Sequence, residues 1–209
     1  MTDAACKVFV VDDDESVRRG VQRLLRSAGF SAEGYASAQA FLEGHDRAAI
    51  GCVILDLAMP GINGLQLQEA LAGSGSVLPI VFLTGHGDIP TSVQAMKSGA
   101  VDFLTKPVSD EMLLGAVRHA IERARVLERE RRELADIERR LATLTPRERE
   151  VLRHLARGRL NKQIAADLGT VEKTIKVHRA RIMLKMQVRT LVALARLLQQ
   201  AGIAVDRTD

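Results

Sequence analysis

Five short apolar runs, each followed by a turn and then by a segment of helical spacing, constrain residues 1–123 more than any other feature of this chain. The runs are KVFVV (7–11), the weaker SAEGYA (31–36), CVILD (52–56), PIVFLT (79–84) and AVDFLT (100–105). Between and after them come VRRGVQRLLRSAGF, SAQAFLEG, GLQLQEALAG, PTSVQAMKSG and SDEMLLGAVRHAIERA, with apolar residues at helical intervals and Gly, Ser or Pro at the breaks. Strands that are apolar throughout must be covered on both faces. Five of them alternating with five helices predict an α/β domain built on a parallel sheet.

In such sheets ligands gather beyond the carboxyl ends of the strands. Asp12, Asp13 and Asp14 follow the first strand, Asp56 ends the third, Thr84 ends the fourth and Lys106 follows the fifth. Converging carboxylates repel one another unless a cation neutralises them, and an oxygen-only set favours Mg²⁺ over zinc. A carboxylate beside such a metal can attack phosphorus and form an acyl phosphate, a reaction that mainly needs in-line positioning and charge neutralisation. Two plainer readings stand beside this one. Asp12 to Asp14 include a candidate N-cap for the first helix, Asp14 above all, and Asp56 before Pro60-Gly61 suits a turn.

The net charge of +4 conceals a division. Residues 1–122 hold nine basic against fifteen acidic residues, residues 123–142 seven against five, and residues 143–209 fourteen against six. A basic last third suits a polyanion such as nucleic acid. There, PREREVLRHLAR (146–157) is a helix capped by Thr145, NKQIAADLG (161–169) a short helix ending at glycine, and VEKTIKVHRARIMLKM (171–186) a longer one amphipathic through Ile175, His178, Ile182 and Met186. RTLVALARLLQQAG closes the set as a fourth helix. Two helices joined by a tight glycine-containing turn place the second in a major groove. The second would expose Lys173, Thr174, Lys176, Val177, Arg179, Arg181 and Lys185, whereas Glu148 reads as a structural ion-pair partner. No apolar run approaches the roughly 18 residues that cross a bilayer. The N-terminus reads as a strand and not as a secretory signal. Cys6 and Cys52 form no metal or redox motif and suit a reducing cytoplasm.

The motifs VVDDDESVR, VILDLAMPGINGLQLQ, IVFLTGHGDI and AVDFLTKP resemble the receiver domain of two-component response regulators, over residues 1–123. LTPREREVL, NKQIAADLG and TIKVHRARIMLKM resemble the LuxR-type helix-turn-helix, over residues 143–209. Together they resemble a NarL/FixJ-type regulator of the FixJ-like branch, through GHGDIP and MKSGAVDFL. The resemblance implies a flavodoxin-like receiver with strand order 2-1-3-4-5, residues 124–142 as a helical linker, and a four-helix DNA-binding domain. It implies a transcription factor and not an enzyme. Asp56 would accept a phosphoryl group from a sensor histidine kinase. Asp13, Asp56 and the Ala58 carbonyl would hold Mg²⁺, with Asp12 acting through water. Thr84 and Lys106 would contact the phosphoryl oxygens, the Lys106–Pro107 bond would be cis, and Phe103 would be an aromatic switch. Ala58 and His86 would tune the lifetime of the phosphorylated state. Lys176, Val177 and Ala180 or Arg181 would face base edges of a promoter duplex, while Asn161, Lys162, Lys173, Thr174 and His178 hold phosphates. For His178 a partly buried, satisfied ring is the equal alternative. The implied partners are the kinase, DNA, a second copy on phosphorylation and RNA polymerase. One departure stands out: Val171 occupies a recognition-helix cap where the family has Ser, and Thr170 precedes it at an apolar place.

The connector RARVLERERRELADIERRLATL (123–144) contains neither Gly nor Pro. Leu127, Leu134 and Leu141 recur at sevens, over too short a span to define a coiled coil. The expectation is a solvated continuation of the fifth helix, with a dimer seam as the alternative.

Overall fold

The computed structural model describes residues 6–85 and 88–203, so His86 lies outside the described residues. Two compact units divide the chain, residues 1–129 and 130–209.

The first unit is a five-stranded parallel sheet in the order β2-β1-β3-β4-β5. Its strands are β1 Lys7–Val11, β2 Ser31–Tyr35, β3 Gly51–Leu55, β4 Ile80–Thr84 and β5 Asp102–Thr105. Its helices are α1 Glu15–Ser27, α2 Ala38–Gly44, α3 Gly64–Gly73, α4 Ile89–Lys97 and the start of α5, Asp110–Ala142. The apolar runs explain themselves in the two layers of core. Val8, Val10, Cys52, Ile54, Val81 and Leu83 pack with Leu25 of α1 and Val117 of α5. Phe9, Val11, Val53, Leu55 and Phe82 face the other way, toward Phe41, Leu67, Leu71 and Ala95. A strand alternates its side chains, so only a continuous apolar run fills both layers. The weaker β2 lies at the sheet edge, where Ser31 and Glu33 face solvent. Both thiols are free, and burial pushes that of Cys52 up to about 12, which leaves it unreactive.

Asp14 Oδ1 accepts from the amides of Ser16 and Val17, Ser37 caps α2 through Ala40, and Asn63 with Gln66 forms a capping box on α3. Buried Gln68 of α3 donates through Nε2 to the carbonyls of Ala95 and Ser98, tying down the C-terminal end of α4.

In the second unit α6 Pro146–Ala156, α7 Asn161–Asp167, α8 Glu172–Lys185 and α9 Leu191–Gln200 enclose Val151, Leu155, Ile164, Ile175, Ile182, Met186, Leu194 and Leu198. The connector is helical as far as Ala142, as the continuation of α5. Its last turns, however, are not solvated: Ile137 is buried, Leu141 packs against this core, and Arg140 donates to the carbonyl of Met186. An apolar residue every three or four positions along Ile137, Leu141 and Leu144 gives that end a face to bury.

Candidate functional site

The acidic site is assembled by the ends of the sheet ladder. The amide of Asp56 donates to the Val11 carbonyl, that of Asp12 to Tyr35 and that of Lys106 to Thr84. These bonds carry the parallel pairing one residue past each strand, so the side chains of β1, β3, β4 and β5 converge on one edge. One carboxylate oxygen each from Asp12, Asp13 and Asp56 lies within 4.8 Å of the others. Asp12 and Asp56 are buried, and Asp13 is exposed.

Each acid has a different set of partners. Asp12 is engaged through both oxygens: Oδ1 accepts from the Asp14 amide at 2.9 Å and Oδ2 from Lys106 Nζ at 2.7 Å. Asp56 Oδ1 accepts from the Leu57 amide at 2.9 Å, and the Thr84 hydroxyl also bonds this carboxylate. Lys106 stands farther off, at 3.7 Å from Asp56. The Asp13 carboxylate has no hydrogen bond or ion pair to another described residue. Burial pushes the Asp56 carboxyl above the ordinary aspartate range; Lys106, Leu57 and Thr84 pull it down, while Asp12 adds to the rise. Burial wins because the lysine is committed to Asp12. Three oxygen donors with one carboxylate free suit a hard divalent cation, which would reverse that balance.

The acceptor loop is tightly backed. A Cβ on Gly64 would stand 2.5 Å from the Asp56 carbonyl oxygen and 3.0 Å from Leu57 Cα. Only glycine lets α3 start this close to the loop. Ala58 is exposed on the loop. Thr84 is fully buried, the Lys106–Pro107 bond is cis, and Phe103 is half-buried with its ring 5.8 Å from that of Phe82. Asp12, Asp13, Asp56, Thr84 and Lys106 thus share one edge.

In the second unit α7 and α8 are joined through Gly169, whose φ is +60°. Val171 is the N-cap of α8 and supplies no side-chain bond, so the departure noted in the sequence leaves this helix start without a side-chain cap. Lys162, Lys173, Lys176, Val177, Ala180 and Arg181 are exposed, and Thr174 and Arg179 are half-covered. Lys176 pairs with Glu172 at 3.0 Å. Asn161 Oδ1 and His178 Nδ1 are buried without a hydrogen-bond partner among the described residues. Lys185 is a correction. It is not a free cation on the outer face: its Nζ donates to Glu148 at 2.7 Å and to the Thr143 carbonyl at 2.9 Å. Glu148 is buried and also closes the capping box of α6 with Thr145, and its pairing with Lys185 is the ion pair expected of it. Sequence reading missed Arg18, whose guanidinium reaches the Asp12 and Asp13 carbonyls.

A doubly wound sheet with this rim, followed by a four-helix unit with a helix-turn-helix, defines a class: a receiver joined to a DNA-binding output domain. Residues 8–118 match the family described as response regulator receiver domain, and residues 142–198 match the bacterial regulatory proteins of the luxR family. The chain belongs to the two-component response regulators that join these two domains. Nodulation protein W of Bradyrhizobium diazoefficiens is 43% identical over 210 residues, covering 100% of this chain and 92% of that protein. Transcriptional regulatory protein FixJ of the same organism is 42% identical over 199 residues, covering 95% and 97%. Among solved structures, response regulator StyR superposes with a TM-score of 0.82 at 46% identity, covering 94% of this chain and 100% of that one. Full-length FixJ from B. japonicum gives 0.56 at 41% identity, covering 95% and 98%. The receiver class implies a histidine kinase as partner, and the luxR-type domain implies DNA binding. The family is one of transcription regulators. No helix among the described residues is long and apolar enough to cross a membrane.

Proposed function

We propose that Asp56 is the phosphoacceptor of a switch that controls DNA binding by the second unit. A carboxylate oxygen of Asp56 attacks the phosphorus of a phosphohistidine on the kinase. The new P–O bond forms as the P–N bond breaks, and the imidazole leaves with the electron pair. Asp13, Asp56 and the Ala58 carbonyl would hold Mg²⁺, with Asp12 contributing to the same site, and the ion would supply neutralisation of the phosphoryl charge. Lys106 passes from Asp12 to the phosphoryl oxygens, and the Thr84 hydroxyl follows them. Phe103 then turns into the space beside Thr84. The surface of α4, β5 and α5 changes with it, and two copies associate so that paired reading helices engage neighbouring half-sites. On α8, Lys176, Val177 and Ala180 or Arg181 reach base edges, while Asn161, Lys162, Lys173, Thr174 and His178 hold phosphates.

The carrying observation is the buried Asp56 carboxylate, which bonds Thr84 and has Lys106 and two further acids beside it. Incubation with acetyl phosphate and Mg²⁺, followed by intact-mass measurement, should add one phosphoryl group to the chain and none to Asp56→Asn. Sedimentation with beryllofluoride should show association. An unshifted mass sinks the phosphoacceptor reading; an unchanged sedimentation profile sinks the dimerisation step.

A further inference from the structure

Arg18 lies in the first turn of α1, where a cation opposes the helix dipole and an acid is favoured. The same helix ends with Arg26, a cation at the favourable end, bonded to the Ala32 carbonyl at 3.0 Å. Arg18 therefore needs a reason beyond helix stability. Its Nη1 donates to the Asp12 carbonyl at 2.7 Å and stands 3.4 Å from the Asp13 carbonyl. Among the described residues no backbone amide donates to either carbonyl. β1 has ended, α1 has not begun, and the Arg18 amide itself bonds Asp14. The peptide between the two acids would otherwise be held only through the Asp12 side.

The two acids differ in what that peptide controls. The Asp12 side chain is fixed by the Asp14 amide and Lys106. The Asp13 side chain is exposed and unpartnered, so its direction depends on the backbone that carries it. We infer that Arg18 is a positioning residue for the metal: by clamping the Asp12 and Asp13 carbonyls it aims the free Asp13 carboxylate across the site toward Asp56. This rests on the phosphoacceptor reading above. Groups that orient metal ligands change affinity by about 10–100-fold when lost.

The test is Mg²⁺ titration calorimetry on the full chain and on Arg18→Met and Arg18→Lys, beside thermal unfolding in EDTA. Arg18→Met should weaken Mg²⁺ binding by about tenfold or more. Arg18→Lys, which keeps the charge and can reach one carbonyl, should fall between. With acetyl phosphate, the Mg²⁺ concentration for half-maximal phosphorylation should rise by the same factor. The rate at saturating Mg²⁺ should stay within about threefold, a split that general loss of structure does not produce. If Arg18→Met keeps wild-type Mg²⁺ affinity, or if only its saturated rate falls, the positioning role is overturned. If Arg18→Met does not fold, an unweakened Arg18→Lys overturns it and a weakened, folded Arg18→Lys supports it. A wild-type chain that takes up no Mg²⁺ overturns the parent reading and this one together.

Discussion

Lys106 Nζ lies 2.7 Å from Asp12 and 3.7 Å from Asp56, so the lysine is bonded to the neighbour of the candidate acceptor and not to the acceptor itself. Lys106 and Mg²⁺ therefore compete for the carboxylate oxygens of this rim. Lys106→Met should tighten Mg²⁺ binding several-fold, because a positive charge and a competing bond both leave the site. It should also slow phosphorylation of Asp56 by about 100-fold, since a donor to the transferring group is lost. Calorimetry and a quenched time course read the two effects separately.

The raised Asp56 carboxyl makes a stability prediction with a definite sign. An acid whose folded value exceeds its unfolded value of 3.8 contributes stability below that value and loses it as pH rises through the folded one. Asp56→Asn keeps an oxygen for Thr84 and Leu57 but carries no charge. In EDTA at neutral pH the variant should melt higher than the wild type, by on the order of 4 °C. The two should converge in acid, and Mg²⁺ should narrow the gap by raising the wild type alone. Equal melting temperatures at neutral pH would count against a buried, ionised Asp56.

Glu148 works in the opposite direction. The bond from Lys185, then those from the Thr145 amide and hydroxyl, hold its carboxyl below the usual range, against the effect of burial. Its stabilisation is full above the ordinary glutamate value and is lost as pH falls through the lowered one. Glu148→Gln should cost about 2 kcal/mol at neutral pH. The cost should shrink on acidification, as followed by far-ultraviolet circular dichroism of thermal unfolding. A pH-independent cost would leave the cap bond, and not the Lys185 pair, as the source.

On α8 the two kinds of exposed residue should separate by salt. Lys173→Ala should weaken binding to every duplex and lower the slope of log K against log salt by about 0.9. Val177→Ala should leave the slope unchanged and alter preference among duplexes, because an apolar group reads a base edge and not a phosphate. Fluorescence anisotropy across a salt series measures both.

The sheet was legible because both of its faces are buried, which writes each inner strand as an apolar run. The acid rim was legible because a parallel sheet puts every strand's carboxyl end on one side. Asp14, Ser37 and Thr145 could be read as caps because capping acts within four residues. What was not legible acts across the chain. Nothing near Lys185 in sequence announces Glu148, 37 residues away. Arg18 looked like an ordinary helix cation because the carbonyls it needs are orphaned only by the geometry of the loop. The buried end of the connector was missed because three apolar residues in a charged segment give too short a period to distinguish docking from solvation.

Gly64 carries no functional group, yet the Asp56 carbonyl oxygen lies where its missing side chain would begin. An allele with alanine there would push the whole aspartate loop off its seat while leaving every acid of the rim unchanged in the sequence. In a genetic screen such an allele would pass for a signalling-dead aspartate mutant, and sequencing the acids alone would never find it.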